Sequence, residues 1–101
     1  LNASRRKRIE IMVEQPLLRR VTEAIDAAGI TGWTVLPVHG GKGRSGPWRE
    51  ERVMGTDRLM VMTIARPERA EVLLEQLAPL LESHGLLLTI CDVEVVRGDL
   101  F

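Results

Sequence analysis

The chain has no tyrosine, one phenylalanine, two tryptophans and a single cysteine among its 101 residues. One thiol excludes a disulfide within the chain and any all-cysteine metal site. Cys91 falls in an apolar run, where an unpaired cysteine usually packs as a small hydrophobe. Aromatics at 3% leave no set of exposed rings for bases to stack on, which argues against an RRM-like RNA binder. Net charge is missing too: 14 Lys and Arg balance 14 Asp and Glu. No long-range field therefore draws the chain to nucleic acid or to an anionic membrane. The basic run Arg5, Arg6, Lys7 and Arg8 is local and reads as a solvated strand end. No apolar stretch approaches the roughly 18 residues a membrane helix needs. No signal peptide is visible, so the expected location is cytoplasmic. Leu1 stands in place of a methionine, and residues 1–4 read as a trimmed end.

What is present is ordinary globular composition, 45% hydrophobic and 28% charged, in a length suited to one domain. Residues 6–13 alternate, with Lys7, Ile9, Ile11 and Val13 on one side, which predicts a half-buried strand. Pro16 suits a first helical position, where its missing N–H would have no partner anyway. Leu17, Leu18, Val21, Ala24, Ile25 and Ala28 recur at helical spacing, and Gly29 can end the helix in a left-handed conformation. A second strand is predicted from Gly32 to Val38 and a third from Asp57 to Ala65. Arg66-Pro67-Glu68 opens a second helix with the stripe Ala70, Leu73, Leu74, Leu77, Leu80 and Leu81, ended by Gly85. Residues 86–96 form the last strand. The order βαββαβ predicts an α+β, ferredoxin-like domain over residues 1–101, a four-stranded antiparallel sheet with two helices on one face.

Two features exceed that generic layout. The third strand, Leu59 to Ile64, is apolar on both faces, and so is the start of the last strand. A sheet covered on one side should show polar residues on the other. The second face is therefore expected to be covered by self-association. The other feature is the connection of residues 39–56. It carries four glycines before Pro47 and shows neither helical nor strand periodicity, although most connections run about 4–6 residues.

Gly40, Gly41, Lys42, Gly43 and Arg44 suit either of two roles. Glycines let backbone N–H groups converge on an anion while Lys42 and Arg44 supply charge, but the same run also suits a flexible linker. Trp48 is a candidate partner anchor or a loop residue folded back on its own surface. His39 has no second ligand at metal spacing. His84 beside Gly85 suits capping of helix carbonyls. Asp92 and Glu94 share one face of the last strand, as a solvated or ion-paired edge rather than an acid–base pair. No nucleophile–base constellation is visible, so no catalytic residue, metal or cofactor is expected.

Gly29-Ile30-Thr31-Gly32-Trp33-Thr34-Val35, the loop with Gly40, Gly43 and Arg44, and Asp92-Val93-Glu94 resemble the nitrogen regulatory P-II superfamily. The resemblance implies a homotrimer whose inter-subunit clefts bind an adenine nucleotide and whose long T-loop docks onto a transporter or enzyme. It implies that Thr34, Gly40, Gly41, Lys42, Gly43 and Arg44, with His84, Gly85 and Arg97, surround the nucleotide or anion. It places Ser45, Trp48, Arg49 and Arg52 on the partner-binding loop. The family's lysine-rich loop before the last strand is reduced here to His84-Gly85, and Ser45 replaces its T-loop glutamine. With no tyrosine, uridylylation is excluded, and the two-cysteine extension of some transporter-linked members is missing. These departures resemble the carboxysome- and bicarbonate-transport-associated branch, which implies ADP or AMP, and bicarbonate, as regulatory ligands in inorganic-carbon metabolism or transport.

Other ferredoxin-like proteins remain as alternatives. A divalent-cation-tolerance trimer would need metal ligands that are scarce here. An amino-acid-binding ACT-like domain is normally attached to an enzyme. A small monooxygenase-like enzyme can work with few polar residues.

Overall fold

In the computed structural model, residues 2–44, 46–49 and 58–101 are described, the side chains of Trp48 and Arg49 excepted. Strand β1 (Ala3–Glu14) leads through a 3-10 turn (Gln15–Leu17) into helix α1 (Leu18–Ala27). There follow β2 (Thr34–Val38), β3 (Gly40–Gly43), β4 (Gly46–Arg49), β5 (Arg58–Ala65), helix α2 (Pro67–His84) and β6 (Leu87–Val96). A short 3-10 turn, Gly98–Leu100, closes the chain. The main sheet is antiparallel in the order β2-β5-β1-β6, the expected ferredoxin-like arrangement.

Its packed face carries Ile9, Ile11 and Val13 from β1 and Val61, Thr63 and Ala65 from β5, all buried. Against them lie Val21, Ile25 and Ala28 of the first helical segment and Ala70, Leu73, Leu77 and Leu80 of α2. Both helical stripes fall where their spacing put them. Each fully buried aliphatic side chain contributes roughly 1.5–3 kcal/mol. Pro16 sits in the 3-10 turn ahead of α1 rather than inside the helix. Gly29, at φ 76°, ends α1, and its N–H donates to the Asp26 carbonyl at 3.0 Å.

Among the described residues, no helix covers the opposite face. Register places Leu36, Met60, Met12 and Leu87 in one row straight across all four strands. Leu36 and Leu87 are about half exposed, at 48% and 57%. Further along this face the residues are mixed, with Arg8 paired to Glu10 at 3.0 Å. Cys91 stands opposite Arg8 and is exposed, not packed as a small hydrophobe. Its strand is apolar, but register turns the thiol to the uncovered side.

The connection between β2 and β5 corrects a further expectation. Instead of showing no strand structure, Gly40–Gly43 and Gly46–Arg49 pair as a two-stranded ribbon, with Gly40 opposite Arg49 and Gly43 opposite Gly46. Glycines carry no side chain to alternate, so the pairing leaves no period-two signal in the sequence. Gly46 takes φ 99° at the turn, a conformation that suits glycine. Pro47 is tolerated because both strands of so small a ribbon are edges.

Candidate functional site

At one end of the main sheet, Val38 of β2 pairs with Arg58 of β5, which pairs with Glu14 of β1. The ribbon leaves from this end, and the α2–β6 junction closes it. Gly85, at φ 59°, caps α2 with its N–H on the Leu81 carbonyl at 3.0 Å. His84 does not cap a main-chain carbonyl as its position suggested, because Gly85 supplies that hydrogen bond itself. The imidazole Nδ1 instead lies 2.6 Å from Ser83 Oγ. Its Nε2 has no partner among the described residues. A hollow of about 280 Å³ opens here, lined by Met12, Glu14, Arg58, His84, Gly85 and Leu87 among others.

Within the ribbon, Gly40, Gly41, Lys42 and Gly43 form β3 and Arg44 lies in the turn, all exposed. Trp48 and Arg49 lie on β4, their backbones opposite Gly41 and Gly40. Ser45 and Arg52, expected on the partner-binding loop, lie outside the described residues.

Arg97 is at the other end. It adopts φ 62°, the sole positive φ of a non-glycine among the described residues, and its N–H donates to Asn2 O at 3.2 Å. This left-handed residue turns the chain out of β6 into Gly98–Leu100. A second hollow, of about 290 Å³, lies beside that turn. Gly29, Ile30 and Thr31 form one wall, Ile64 to Arg66 another, and Leu100 and Phe101 a third. Buried Thr63 fixes the loop before β2 by donating Oγ1 to the Gly32 carbonyl at 2.6 Å. Trp33 Nε1 donates to Asp26 Oδ1 at 3.2 Å, and Thr34 follows at the exposed start of β2.

Sequence reasoning missed this second hollow and the arginines around it. Arg66 was legible as part of a helix opening, but nothing local ties it to Arg6, sixty positions earlier. The main-chain oxygen of Phe101 joins them, accepting from Nε of both side chains.

Of the acidic pair on β6, Asp92 is ion-paired, in keeping with the expected solvated or ion-paired edge. Lys7 Nζ lies 2.5 Å from Asp92 Oδ1. The hydrogen bond from Lys7 and its charge hold the Asp92 carboxyl below its ordinary range, with a smaller pull from Arg5. Among the described residues no cluster of three or more potential metal ligands occurs.

The expected ligand residues therefore do not converge within one chain. Ten residues of β6 separate the His84–Gly85 end from Arg97, about 30 Å at strand rise. Gly40–Arg44, His84 and Gly85 lie toward the ribbon end of the sheet, Arg97 lies toward the other end, and Thr34 lies between.

Comparison with known proteins settles the lineage. The nitrogen regulatory protein P-II family matches over residues 6–100. The chain belongs to the P-II family. No curated protein sequence matches it. Among solved P-II structures it resembles CPII, a PII-like protein from Thiomonas intermedia K12, bound to ADP, AMP and bicarbonate. That match has 26% identity and a TM-score of 0.85, covering 95% of this chain and 92% of that one. CPII bound to ADP and bicarbonate matches at 28% identity and TM-score 0.82, over 95% and 93% of the two chains. A PII-like signalling protein from Thermus thermophilus shares the fold at 24% identity, TM-score 0.82, over 100% and 99%. The GlnK–ATP complex of B. subtilis, at 12% identity and TM-score 0.64, over 92% and 85%, shares the P-II fold alone.

Proposed function

We propose that this protein is a P-II-like regulatory sensor and not an enzyme: a homotrimer that takes ADP or AMP, with bicarbonate, in clefts between its subunits. One observation carries the reading. The two groups of candidate ligand residues lie at opposite ends of one sheet whose uncovered face presents Leu36, Met60, Met12 and Leu87. In the trimer proposed here, that row is buried against neighbouring copies and the ribbon end of one chain lies beside the Arg97 end of the next. A nucleotide is then held by two chains. Gly40–Arg44, His84 and Gly85 offer backbone donors and cations for phosphates, while Thr34 lies between the ends and Arg97 comes from the neighbour. The similarity to CPII, whose structures hold ADP, AMP and bicarbonate, supports those ligands.

The output is the segment between β2 and β5. A two-stranded ribbon alone is marginally stable in water. Ligand at its base biases the conformations that it samples and so the population able to bind a partner. Ser45, Trp48, Arg49 and Arg52 are the surface offered to that partner, a cytoplasmic enzyme or the cytoplasmic side of a transporter in inorganic-carbon metabolism, including carboxysome-associated systems. Among the described residues no helix is long and apolar enough to cross a membrane.

Calorimetric titration with AMP, ADP, ATP and bicarbonate, singly and combined, tests the reading in a sample shown to be trimeric. ADP or AMP should bind, and Arg44→Ala should weaken binding about tenfold, the loss of one charged hydrogen bond. No response to any nucleotide would overturn the proposal.

A further inference from the structure

The hollow at the ribbon end is lined by one imidazole among the described residues, that of His84. Its neighbour Ser83 donates Oγ to the Leu80 carbonyl at 3.4 Å. With the hydroxyl proton directed there, the 2.6 Å contact to His84 is Nδ1–H donating to Oγ. The neutral ring therefore carries its proton on Nδ1, and Nε2 presents a lone pair with no partner among the described residues. An acceptor in that place repels an anion. Protonation turns the same nitrogen into a charged donor.

The rest of the hollow leaves that change unopposed. Its other charged groups are Glu14 and Arg58, which stand opposite each other across β1 and β5. Carboxylate and guanidinium groups keep their charges from pH 6 to 8, so this pair offsets itself throughout. The remaining lining residues, Met12, Leu17 and Leu86 among them, are apolar. His84 and Gly85 end α2, where the last carbonyls place partial negative charge. With a neutral imidazole the hollow has no net positive charge, and with a protonated one it has a single unit. Imidazole is the side chain that changes charge in this range. His39, the other histidine, follows β2 at the same end of the sheet but does not line the hollow, nor do Lys42 and Arg44 of the ribbon.

We propose that His84 is a proton switch on this hollow: a tetrahedral oxyanion such as a terminal phosphate is held more tightly when the imidazole is charged. The inference deepens the nucleotide reading, on which phosphate sits at this end, and adds a response to pH. An anion favours the charged ring, so binding raises the midpoint of His84 and takes up a proton. Affinity then falls as pH rises through the imidazole range and levels off above it.

The experiment titrates the full chain with sulfate, a dianion whose own charge is constant between pH 6 and 8, at ionic strength held with chloride. Calorimetry should show binding about tenfold tighter at pH 6 than at pH 8, the effect of one charged hydrogen bond. The His84 ring resonances should titrate at higher pH with sulfate than without. His84→Gln should bind at both pH values as the parent does at pH 8. His84→Lys, positive throughout, should lose the pH dependence while binding more tightly than His84→Gln. His39→Gln should keep the parent's pH dependence, and retained melting transitions show that each variant is folded. Equal affinity at pH 6 and 8 overturns the proposal. So does pH dependence that survives in His84→Gln, its loss in His39→Gln, or no sulfate binding at either pH. ADP is titrated in parallel at pH 8. ADP binding without the sulfate response leaves the nucleotide reading standing, and the sulfate response without ADP binding leaves the switch, so the two fail separately.

Discussion

Lys7 and Asp92 face each other across β1 and β6, where the helices no longer cover the sheet. Because Lys7 favours the charged carboxylate, the folded state holds Asp92 ionised at a lower pH than the unfolded chain does. Its contribution to stability is present above the ordinary carboxylate range and fades as pH falls through the depressed folded value. At 76% exposure of the Asp92 side chain, solvent screening keeps that contribution small. Lys7→Ala should raise the Asp92 midpoint toward the ordinary range, as read by carboxyl-carbon NMR titration, with little change in melting temperature at neutral pH. An unmoved midpoint would show that Arg5, not Lys7, sets the ionisation. The pairing was legible as a carboxylate edge on β6. Its partner was not, because strand register, rather than local spacing, brings Lys7 opposite Asp92. The Arg6–Arg66 convergence was hidden for a related reason: each side chain has a plain local role, and the shared oxygen is distant from both in sequence.

Among the secondary-structure elements, α2 carries an internal fault. Pro79 lies inside Pro67–His84, where it has no N–H to return to the Glu75 carbonyl. The residue is exposed, so the core stripe does not require it. Pro79→Ala should stabilise the domain by about 1–3 kcal/mol, seen as a rise in thermal midpoint. A fall would mean that a bend at Pro79 aims the His84–Gly85 end. Elements with strong periodicity were legible from side chains alone: Ile9, Ile11 and Val13 on β1, and the leucine stripe of α2. The ribbon of β3 and β4 was not. Strand patterns are read from alternating side chains, and Gly40, Gly41, Gly43 and Gly46 have none, so only backbone pairing reveals it.

For the whole molecule, the proposed assembly turns on the uncovered face. The row Leu36, Met60, Met12 and Leu87 supplies an adaptable apolar contact at one end, and Arg8 with Glu10 keeps the middle polar. A carboxylate in that row would be buried unpaired in any assembly that uses it, at a cost of several kcal/mol. Met60→Glu should therefore give a folded monomer by sedimentation, with helical circular dichroism retained, and should abolish nucleotide binding along with the trimer. An intact trimer would place the interface elsewhere. The uncovered apolar row was legible from two-faced apolar strands. The division of the ligand residues between two ends was not, because it depends on the antiparallel path of β6.

In the proposed trimer, that division gives each binding cleft two parents. Chains carrying Arg44→Ala are damaged at the ribbon end only. Chains carrying Arg97→Gly are damaged at the other end only, and glycine keeps the left-handed backbone there without strain. Neither population alone should bind nucleotide fully. Unfolded together and reassembled at random in equal amounts, they should regain about a quarter of intact clefts, since half the chains supply each sound half. Two defective proteins would then repair one another by sharing a ring, whereas a cleft built within a single chain would stay broken in every mixture.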